Sequence, residues 1–395
     1  MTTPSGPKAG VSTAAPDFTA LPDLASRALA GSVVHANDEL FAERENLIRP
    51  EPAVFAPGDF GHKGKTYDGW ETRRRREPGS DHAIVRLGVA GVVRGVVVDT
   101  AWFRGNYPPF ASVEAAGVEG HPSPAELADA DWVTLVPRSA VAGDTANAFP
   151  VSDGRRFTHV RLTIYPDGGV ARFRVHGEPV PDPRYLFATT DLAALEHGGD
   201  VVDCSDRFYS SPRNLLLPGR SRSMGEGWEN ARRRDDGHDH VTVRLAAPGR
   251  VERVEVDTSY FVGNAPGWAS VRGLDARRHA PAGDAGWAEL VPRARLQPDT
   301  RHLFRVAARD PVTHVRLDVF PDGGVARLRV EGTVPPADRA AGVLRFLDLL
   351  PVPHAGEVLT VDGGLSRTQA RAAVVARPFT GTSRLPPEVV HRLLG

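Results

Sequence analysis

The sequence predicts an all-β protein of two tandem β-sandwich domains of jelly-roll type, followed by a short, partly helical C-terminal tail. Three observations favour this fold class. The chain contains an internal duplication, its apolar residues alternate with polar ones, and its strand-like segments are short and separated by turns rich in Gly and Pro. The 395 residues exceed what one ordinary core needs and suit two domains of typical size.

The duplication is visible by direct comparison. THVRLTIYPDGGVARFRVHG (158–177) and THVRLDVFPDGGVARLRVEG (313–332) are identical at fifteen of twenty positions. Three further pairs of segments match in the same order: 23–47 with 191–215, 68–76 with 226–234, and 95–113 with 253–271. We conclude that one domain has been copied in tandem.

The matched segments define the domain limits. The first repeat is expected at 17–180 and the second at 187–334, with a Pro-rich linker between them. Residues 1–16, which are rich in Thr, Ser, Pro, Gly and Ala, indicate a disordered tail. Residues 335–395 have no counterpart in the first repeat and contain short amphipathic helical patterns.

Each repeat carries a strand–turn–strand pattern. In HVRLTIY the apolar residues Val160, Leu162 and Ile164 alternate with polar ones, which is the period of a half-buried strand. PDGG follows, and VARFRV resumes the alternation with Arg172 on its polar side. This pattern predicts a β-hairpin with an Asp-Gly turn.

Composition restricts the classes of partner. The 48 basic and 49 acidic residues nearly cancel, so no overall field favours binding to nucleic acid or to an acidic membrane. The single Cys204 excludes an internal disulfide, and no apolar run is long enough to cross a bilayer. The N-terminal residues lack the apolar centre of a signal peptide, so we expect a cytoplasmic protein.

Polar residues that recur in both repeats are the candidate functional residues. The first group follows the pattern Trp-Glu-x-x-Arg-Arg and consists of Trp70, Glu71, Arg74 and Arg75 with their copies Trp228, Glu229, Arg232 and Arg233. An Arg guanidinium offers paired donors in one plane, which suits a carboxylate or a urea-like carbonyl. A solvated strand with surface Glu–Arg pairs would show the same pattern.

The second group ends an apolar strand. Asp99 recurs as Asp257, and Asn106 recurs as Asn264 after a short loop. An acid at a strand end is well placed for general acid–base chemistry. It is equally well placed to cap the loop by accepting from its backbone.

Asp81-His82 and its copy Asp239-His240 form a third group that a divalent metal could use. The spacing matches no tight metal motif, so a surface or loop role is the better interpretation. Neither a Gly-x-Ser-x-Gly elbow, a His-Glu-x-x-His pair nor a phosphate-binding Gly loop is present. The residues alone therefore indicate duplicated polar pockets and name no reaction.

Taken together, these motifs resemble the allantoicase (allantoate amidinohydrolase) family. The resemblance covers roughly residues 17–332 and is carried by ANDELFAERENL (36–47), FGHKGKTYDGWETRRRR (60–76), VVVDTAWFRGNYPP (96–109), NLLLPGRSRSMGEGWENARRR (214–234) and VEVDTSYFVGNAP (254–266). It implies galactose-binding-like sandwiches and the hydrolysis of allantoate to ureidoglycolate and urea in purine breakdown. It also implies that manganese or another divalent ion assists some members, and it is compatible with a homo-oligomer.

The resemblance supports a hypothesis about roles. Glu71, Asp99, Glu229 and Asp257 would move protons, and Arg74, Arg75, Arg232 or Arg233 would hold the substrate carboxylate. Asn106 or Asn264 would bond the ureido carbonyl, with Trp70 and Trp228 also at the substrate. No residue is assigned to a metal.

Two classes without catalysis compete with this hypothesis. One is a carbohydrate- or small-ligand-binding tandem sandwich, in which Trp102, Tyr260 and Trp268 would stack on sugars. The other is a partner-binding protein with decayed pockets. Urea release from allantoate would separate both from an enzyme.

Overall fold

A computed structural model describes residues 17–394 apart from 62, 63, 66, 187, 282, 284, 308 and 309. The predicted disordered tail at 1–16 lies outside the described residues. Each repeat is a β-sandwich, and four α-helices follow the second repeat. No described helix combines the length and the apolar character that a membrane-spanning helix requires.

The first repeat contains eleven described strands and one short α-helix. In chain order these are β1 Ser32–Ala36, β2 Phe60–Gly61, β3 Gly64–Lys65, β4 Trp70–Glu71, β5 Asp81–Asp99, β6 Phe110–Ala116, α1 Pro124–Ala128, β7 Val133–Ala140, β8 Ala146–Pro150, β9 Arg156–Tyr165, β10 Gly169–Val170 and β11 Arg172–Pro179.

The second repeat and the C-terminal segment complete the chain. Their strands and helices are β12 Thr190–Asp191, β13 Asp200–Cys204, β14 Asp239–Asp257, β15 Trp268–Leu274, β16 Ala288–Arg295, β17 Arg301–Arg305, β18 Val312–Phe320, β19 Arg327–Thr333, α2 Pro336–Leu349, α3 Val352–Val361, α4 Arg367–Val375 and α5 Pro387–Leu394. Short 3-10 helices cover Asp17–Ala20, Arg27–Leu29, Arg44–Ile48, Pro183–Leu186, Leu195–His197, Pro212–Leu216, Met224–Glu226 and Thr382–Arg384.

The long strand β5 joins the two layers of the first sandwich. Its first part lies in a five-stranded layer of order β1-β5-β9-β6-β7, and its last part pairs with β8 and β11. All of these pairings are antiparallel. The second repeat copies this topology around β14, which pairs with β13 and β18 in one part and with β17 and β19 in the other.

The predicted hairpin between the THV and VAR segments is wrong. β9 and β11 do not pair with each other, because each pairs with a different part of β5. The strand changes layers near Gly91, where a Cβ would lie 2.2 Å from the carbonyl oxygen of Glu178 on β11. PDGG is therefore the connection between the two layers, and alternation alone cannot distinguish such a crossing from a hairpin.

Apolar side chains from both layers form the core. Leu162 and Phe173 of the first repeat and Leu317 and Leu328 of the second are fully buried, and all four belong to one apolar cluster that runs through both repeats. Burial of each such side chain contributes about 1.5–3 kcal/mol. The cluster therefore stabilises the two sandwiches as a continuous unit.

Helices α2–α5, which we call the helical extension, have an apolar cluster of their own around Phe346, Leu359 and Val389. Phe346 also lies beneath the guanidinium of Arg156 in the first repeat, 4.9 Å from ring centroid to Cζ. The extension thus has a small core and packs against the first sandwich.

Candidate functional site

The Trp-Glu segment pairs with the PDGG connection. β4 and β10 are antiparallel, with Glu71 opposite Gly169 and Trp70 opposite Val170. Thr72 Oγ1 accepts from Gly168 N at 3.2 Å. The two motifs that recur most clearly in the sequence are therefore in direct contact at one end of the sandwich.

The two tryptophans lie in the core. Trp70 and Trp228 have no exposed surface, and their Nε1 atoms donate to the carbonyl oxygens of Asp38 at 2.8 Å and Asp206 at 2.9 Å. Successive strand residues point to opposite faces, so each Trp anchors the segment while the neighbouring Glu faces the loops. The predicted substrate contact of both Trp side chains does not fit this burial.

Glu71 and Asn106 form a side-chain pair. Asn106 Nδ2 donates to Glu71 Oε1 at 2.6 Å, and Glu71 Oε2 is buried without a hydrogen-bond partner among the described residues. Burial raises the pKa of Glu71 above its ordinary value of 4.5, and the Asn106 bond opposes that rise. The result is a carboxyl group that holds a proton more readily than an exposed one.

The loop backbone holds Asn106 in position. Its carbonyl oxygen accepts from Gly169 N at 2.7 Å, next to the strand that carries Glu71. Gly168 has a φ of +143°, and a Cβ there would lie 2.8 Å from that same oxygen. The first Gly of PDGG, Gly168, therefore allows the loop to approach closely enough for the pair to form.

The second repeat contains the same pair in a more open setting. Asn264 Nδ2 donates to Glu229 Oε1 at 2.5 Å. Glu229 is half-buried, whereas Glu71 is only 8% exposed. Backbone bonding differs too, since Glu229 N donates to Ser210 Oγ while Glu71 N donates to Ala42 O. The two repeats are thus equivalent in geometry and unequal in solvation.

The two aspartates at the strand ends hold loops. Asp99 Oδ1 accepts from Ala101 N at 2.9 Å, and Asp257 Oδ1 accepts from the backbone N and the Oγ of Ser259 at 2.8 and 2.6 Å. These are local turn bonds of the kind Asp makes two residues ahead. No described contact joins either aspartate to a Glu–Asn pair, so the geometry supports loop capping.

The two arginines of each Arg-Arg segment have different surroundings. Arg74 and Arg232 are exposed. Arg75 is bound to Asp81 Oδ1 at 2.6 Å, and Arg233 to Asp239 Oδ1 at 3.1 Å. A guanidinium held by a buried carboxylate is poorly placed to bind a substrate carboxylate, so only Arg74 and Arg232 remain suited to that role.

The interpretation of Asp81 and Asp239 as surface or loop residues is wrong. They begin β5 and β14 and are 1% and 2% exposed. The sequence does not show the buried ion pairs, because residues six positions apart in an extended strand lie roughly 20 Å apart and meet only when the chain between them turns back. The partners meet because Asp167 and Asp322 of the PDGG connections accept from Arg75 N and Arg233 N, both at 2.8 Å.

The donor set does not fit a metal held by the protein. Across the residues that the structure describes, no three His, Cys, Asp or Glu side chains come together in a way that could hold an ion. His240 bonds Asp203 and His238 bonds Asp318, in separate pairs. We therefore derive no step through manganese.

Two buried arginines were missed by the sequence reasoning. The alternation predicts Arg172 on the polar side of a hairpin strand, but Arg172 and its copy Arg327 are 1% and 4% exposed. Their recurrence in VARFRV and VARLRV was the available signal. Alternation indicates only two faces of a strand, and here the second face is covered by segment 49–54 in the first repeat and 217–222 in the second.

Two jelly-roll sandwiches in tandem, each with a Glu–Asn pair at one end, define the chain as a duplicated sandwich protein. A family model described as the allantoicase repeat matches residues 22–180 and 190–335. The chain belongs to the allantoicase family. This membership does not favour the carbohydrate-binding alternative.

Curated relatives and a solved structure agree with the family model. A probable allantoicase of Nocardia farcinica is 56% identical over 319 residues, which cover 80% of this chain and 95% of the relative. A probable allantoicase of Streptomyces coelicolor is 52% identical over 83% of this chain and 89% of the relative. The chain is also similar to allantoicase from Saccharomyces cerevisiae, whose crystal structure has a sequence 35% identical to it. The match covers 79% of this chain and 93% of the yeast chain, with a TM-score of 0.68.

Proposed function

We propose that this chain hydrolyses allantoate to ureidoglycolate and urea in purine degradation, with the Glu71–Asn106 pair as the reaction centre of the first repeat. The family membership supports the substrate. The observation that carries the residue assignment is the Glu71 carboxyl group, which has one oxygen bonded to Asn106, the other without a hydrogen-bond partner among the described residues, and a raised pKa.

A carboxyl group that holds a proton can act as the acid in breaking a C–N bond of allantoate. Allantoate carries a carboxylate and two ureido groups on one carbon. Glu71 donates its proton to the nitrogen of one ureido group, the C–N bond breaks with its electron pair on that nitrogen, and urea leaves. The other ureido nitrogen forms a C=N bond to the central carbon. Water adds there to give ureidoglycolate, and its proton returns to Glu71.

Asn106 is a positioning residue in this scheme. Its Nδ2 holds Glu71 Oε1, which directs Oε2 toward the reacting nitrogen and favours the charged state that must form after proton donation. A bond from Asn106 to the ureido carbonyl would use its remaining N–H. We propose that the exposed Arg74 binds the substrate carboxylate.

The second repeat offers the same groups in Glu229, Asn264 and Arg232. Because Glu229 is half-buried and Glu71 is buried, we propose that the first repeat provides most of the activity. Glu71→Gln and Glu229→Gln keep the shape of the side chain and remove the titrating group, so each variant reports on one repeat.

The experiment is the measurement of urea from allantoate by the two single variants and the double variant. We expect Glu71→Gln to lower kcat at least roughly a hundredfold and Glu229→Gln to have a smaller effect. Unchanged urea release in the double variant would remove the Glu pair from the mechanism. Parallel assays with a chelator and with added manganese would show whether a divalent ion takes part.

We also propose where the protein acts and what it assembles with. A net charge of −1 supports a cytoplasmic protein that binds neither nucleic acid nor membrane. Phe208 and Tyr209 are largely exposed side by side, which supports a homo-oligomer that covers them. Light scattering on the wild type and on Phe208→Ser would test that assembly.

A further inference from the structure

A cleft of about 900 Å³ lies between the two repeats, away from both Glu–Asn pairs. Its volume is that of a small-molecule site. Six arginines line it against three acids, so the lining has an excess of positive charge. The charged lining residues are Arg27, Arg49, Arg172, Arg220, Arg222, Arg327, Glu51, Asp68 and Glu226.

The buried Arg172 and Arg327 occupy equivalent places on the two sides of this cleft. Arg172 Nε donates to the carbonyl oxygen of Glu51 at 2.9 Å, and Arg327 Nε donates to that of Gly219 at 3.2 Å. The Nη1 atom of each also donates to two carbonyl oxygens, one of them from the preceding residue. The two guanidinium groups are therefore held in the same way at Nε and Nη1.

The two groups differ at Nη2. In the first repeat, Arg172 Nη2 donates to Asp68 Oδ2 at 2.8 Å and to the carbonyl oxygen of Pro52 at 3.3 Å. In the second repeat, the nearest carboxylate contact of Arg327 Nη2 is Glu226 Oε2 at 4.0 Å. No hydrogen bond from Arg327 Nη2 to any described residue is present.

Two residues differ between the repeats here: Glu226 stands where the first repeat has Asp68, and Arg222 stands where it has Val54. Val54 N donates to Asp68, and Arg222 N makes the same bond to Glu226, so Val54 and Arg222 occupy equivalent positions. The Arg222 side chain then adds bonds of 2.8 Å and 2.7 Å to Glu226 Oε1. Arg222 thereby turns the carboxylate of Glu226 away from Arg327.

A guanidinium N–H that no protein group accepts is open to an external anion. Arg327 is only 4% exposed, and burial lowers its pKa to about 10. Its counterpart Arg172 is paired with the carboxylate of Asp68. In the second repeat the carboxylate of Glu226 lies 4.0 Å from Arg327 Nη2, beyond hydrogen-bond reach, and Arg327 lines an Arg-rich cleft of ligand size.

We infer that the inter-repeat cleft binds a small carboxylate, held by Arg327 Nη2 and by the neighbouring Arg222. The external carboxylate takes the place that Asp68 occupies in the first repeat. This site is separate from the Glu71–Asn106 pair, since no described contact connects the two. Its ligand is either the carboxylate of the ureido acid itself or a second small carboxylate.

The test is a binding measurement with full-length protein and two probes, allantoate and oxalate. Calorimetry with allantoate uses the Glu71→Gln, Glu229→Gln background to prevent turnover, and oxalate is titrated in the same background. Arg327→Met removes the proposed ligand donor. Arg172→Met is the matched control, because it removes an equally buried arginine with the same backbone bonds.

We expect Arg327→Met to weaken binding of at least one probe roughly tenfold or more, as for a lost hydrogen bond to a charged group. Arg172→Met should leave both affinities within about twofold of the parent. Glu226→Gln removes the competing negative charge while Arg327 stays in place, so it should tighten binding by at least about threefold. Thermal unfolding of each variant confirms that the folded protein is compared.

The two ligand sources give different results. If the carboxylate belongs to the ureido acid, Arg327→Met weakens allantoate binding in the Glu71→Gln, Glu229→Gln background. If it is a second carboxylate, the variant weakens oxalate binding and leaves allantoate binding unchanged. The inference is overturned if Arg327→Met changes neither affinity, if Arg172→Met changes them equally, or if Glu226→Gln fails to tighten binding. None of these results depends on whether Glu71 is catalytic.

Discussion

Asn106→Ala is the most informative single change at the Glu71 site. Asn106 Nδ2 is the only described group that donates to the Glu71 carboxyl, at 2.6 Å, and the other carboxyl oxygen has no partner. Removing the amide leaves a carboxylate that is only 8% exposed without any hydrogen bond from the described residues. The substitution therefore isolates the energy of this one contact.

The expected cost follows from the charge of the acceptor. A hydrogen bond to an ionised group contributes about 1.5–3 kcal/mol, so Asn106→Ala should lower the free energy of unfolding by about 2 kcal/mol at pH 7. For a domain of this size that corresponds to a fall in Tm of roughly 4–8 °C.

The free energy of unfolding lost in Asn106→Ala should depend on pH. Burial raises the pKa of Glu71 by more than the Asn106 bond lowers it, so the folded pKa lies above 4.5 and ionisation of Glu71 disfavours folding as pH rises through it. Asn106 offsets part of that penalty only while Glu71 is charged. The stability lost in Asn106→Ala should be full well above the folded pKa and shrink to about 1 kcal/mol or less below 4.5.

The assay is thermal and denaturant unfolding at pH 7 and pH 4, together with the pH–rate profile of urea release. The limb of the profile that reports Glu71 should move to higher pH in Asn106→Ala. Asn264→Ala is the matched control and should cost less, because Glu229 is half-buried. An equal loss at both pH values, or an unmoved profile, would refute the reasoning.

Two other features of the structure give predictions. Arg75→Met leaves the buried Asp81 without its ion-pair partner and should lower the free energy of unfolding by about 3–5 kcal/mol. The neighbouring Arg74→Met should change that free energy by less than about 0.5 kcal/mol while raising KM for allantoate. The reverse pattern would exchange the roles of the two arginines. His354, which is buried and bonded through Nε2 to Glu119 Oε1 at 2.5 Å, fastens the helical extension to the first repeat. His354→Ala should speed tryptic cleavage within the extension and leave urea release intact, and an unchanged cleavage rate would show that other contacts hold it.

Recurrence within one chain selected the candidate groups without separating their roles. It selected Trp70, Glu71 and Arg75 equally, since all three are kept in the second repeat. The structure separates them by burial and partner, with Trp70 in the core and Arg75 on Asp81. Duplication preserves folding contacts as well as functional ones, so recurrence alone cannot distinguish the two.

Differences between the repeats proved as informative as their similarities. Arg222 stands where the first repeat has Val54; its side chain donates to Glu226 Oε1, while Glu226 Oε2 lies 4.0 Å from Arg327 Nη2. The spacing that relates 23–47 to 191–215 also places Val54 opposite Arg222, but no recurring motif marks the two positions. Their equivalent hydrogen bonds to Asp68 and Glu226 show what the change does.

The amino-acid sequence alone determined that a β-rich domain was copied, where each copy lies and which polar residues recur, because the period of the apolar residues and the repeated motifs are local properties of the chain. The tertiary structure decided that PDGG crosses between layers and that Glu71 meets Asn106 while Arg75 meets Asp81. Those contacts depend on the shared strand β5 and on loops brought together from distant positions, and no local pattern encodes which side chain will find a partner and which will be buried without one.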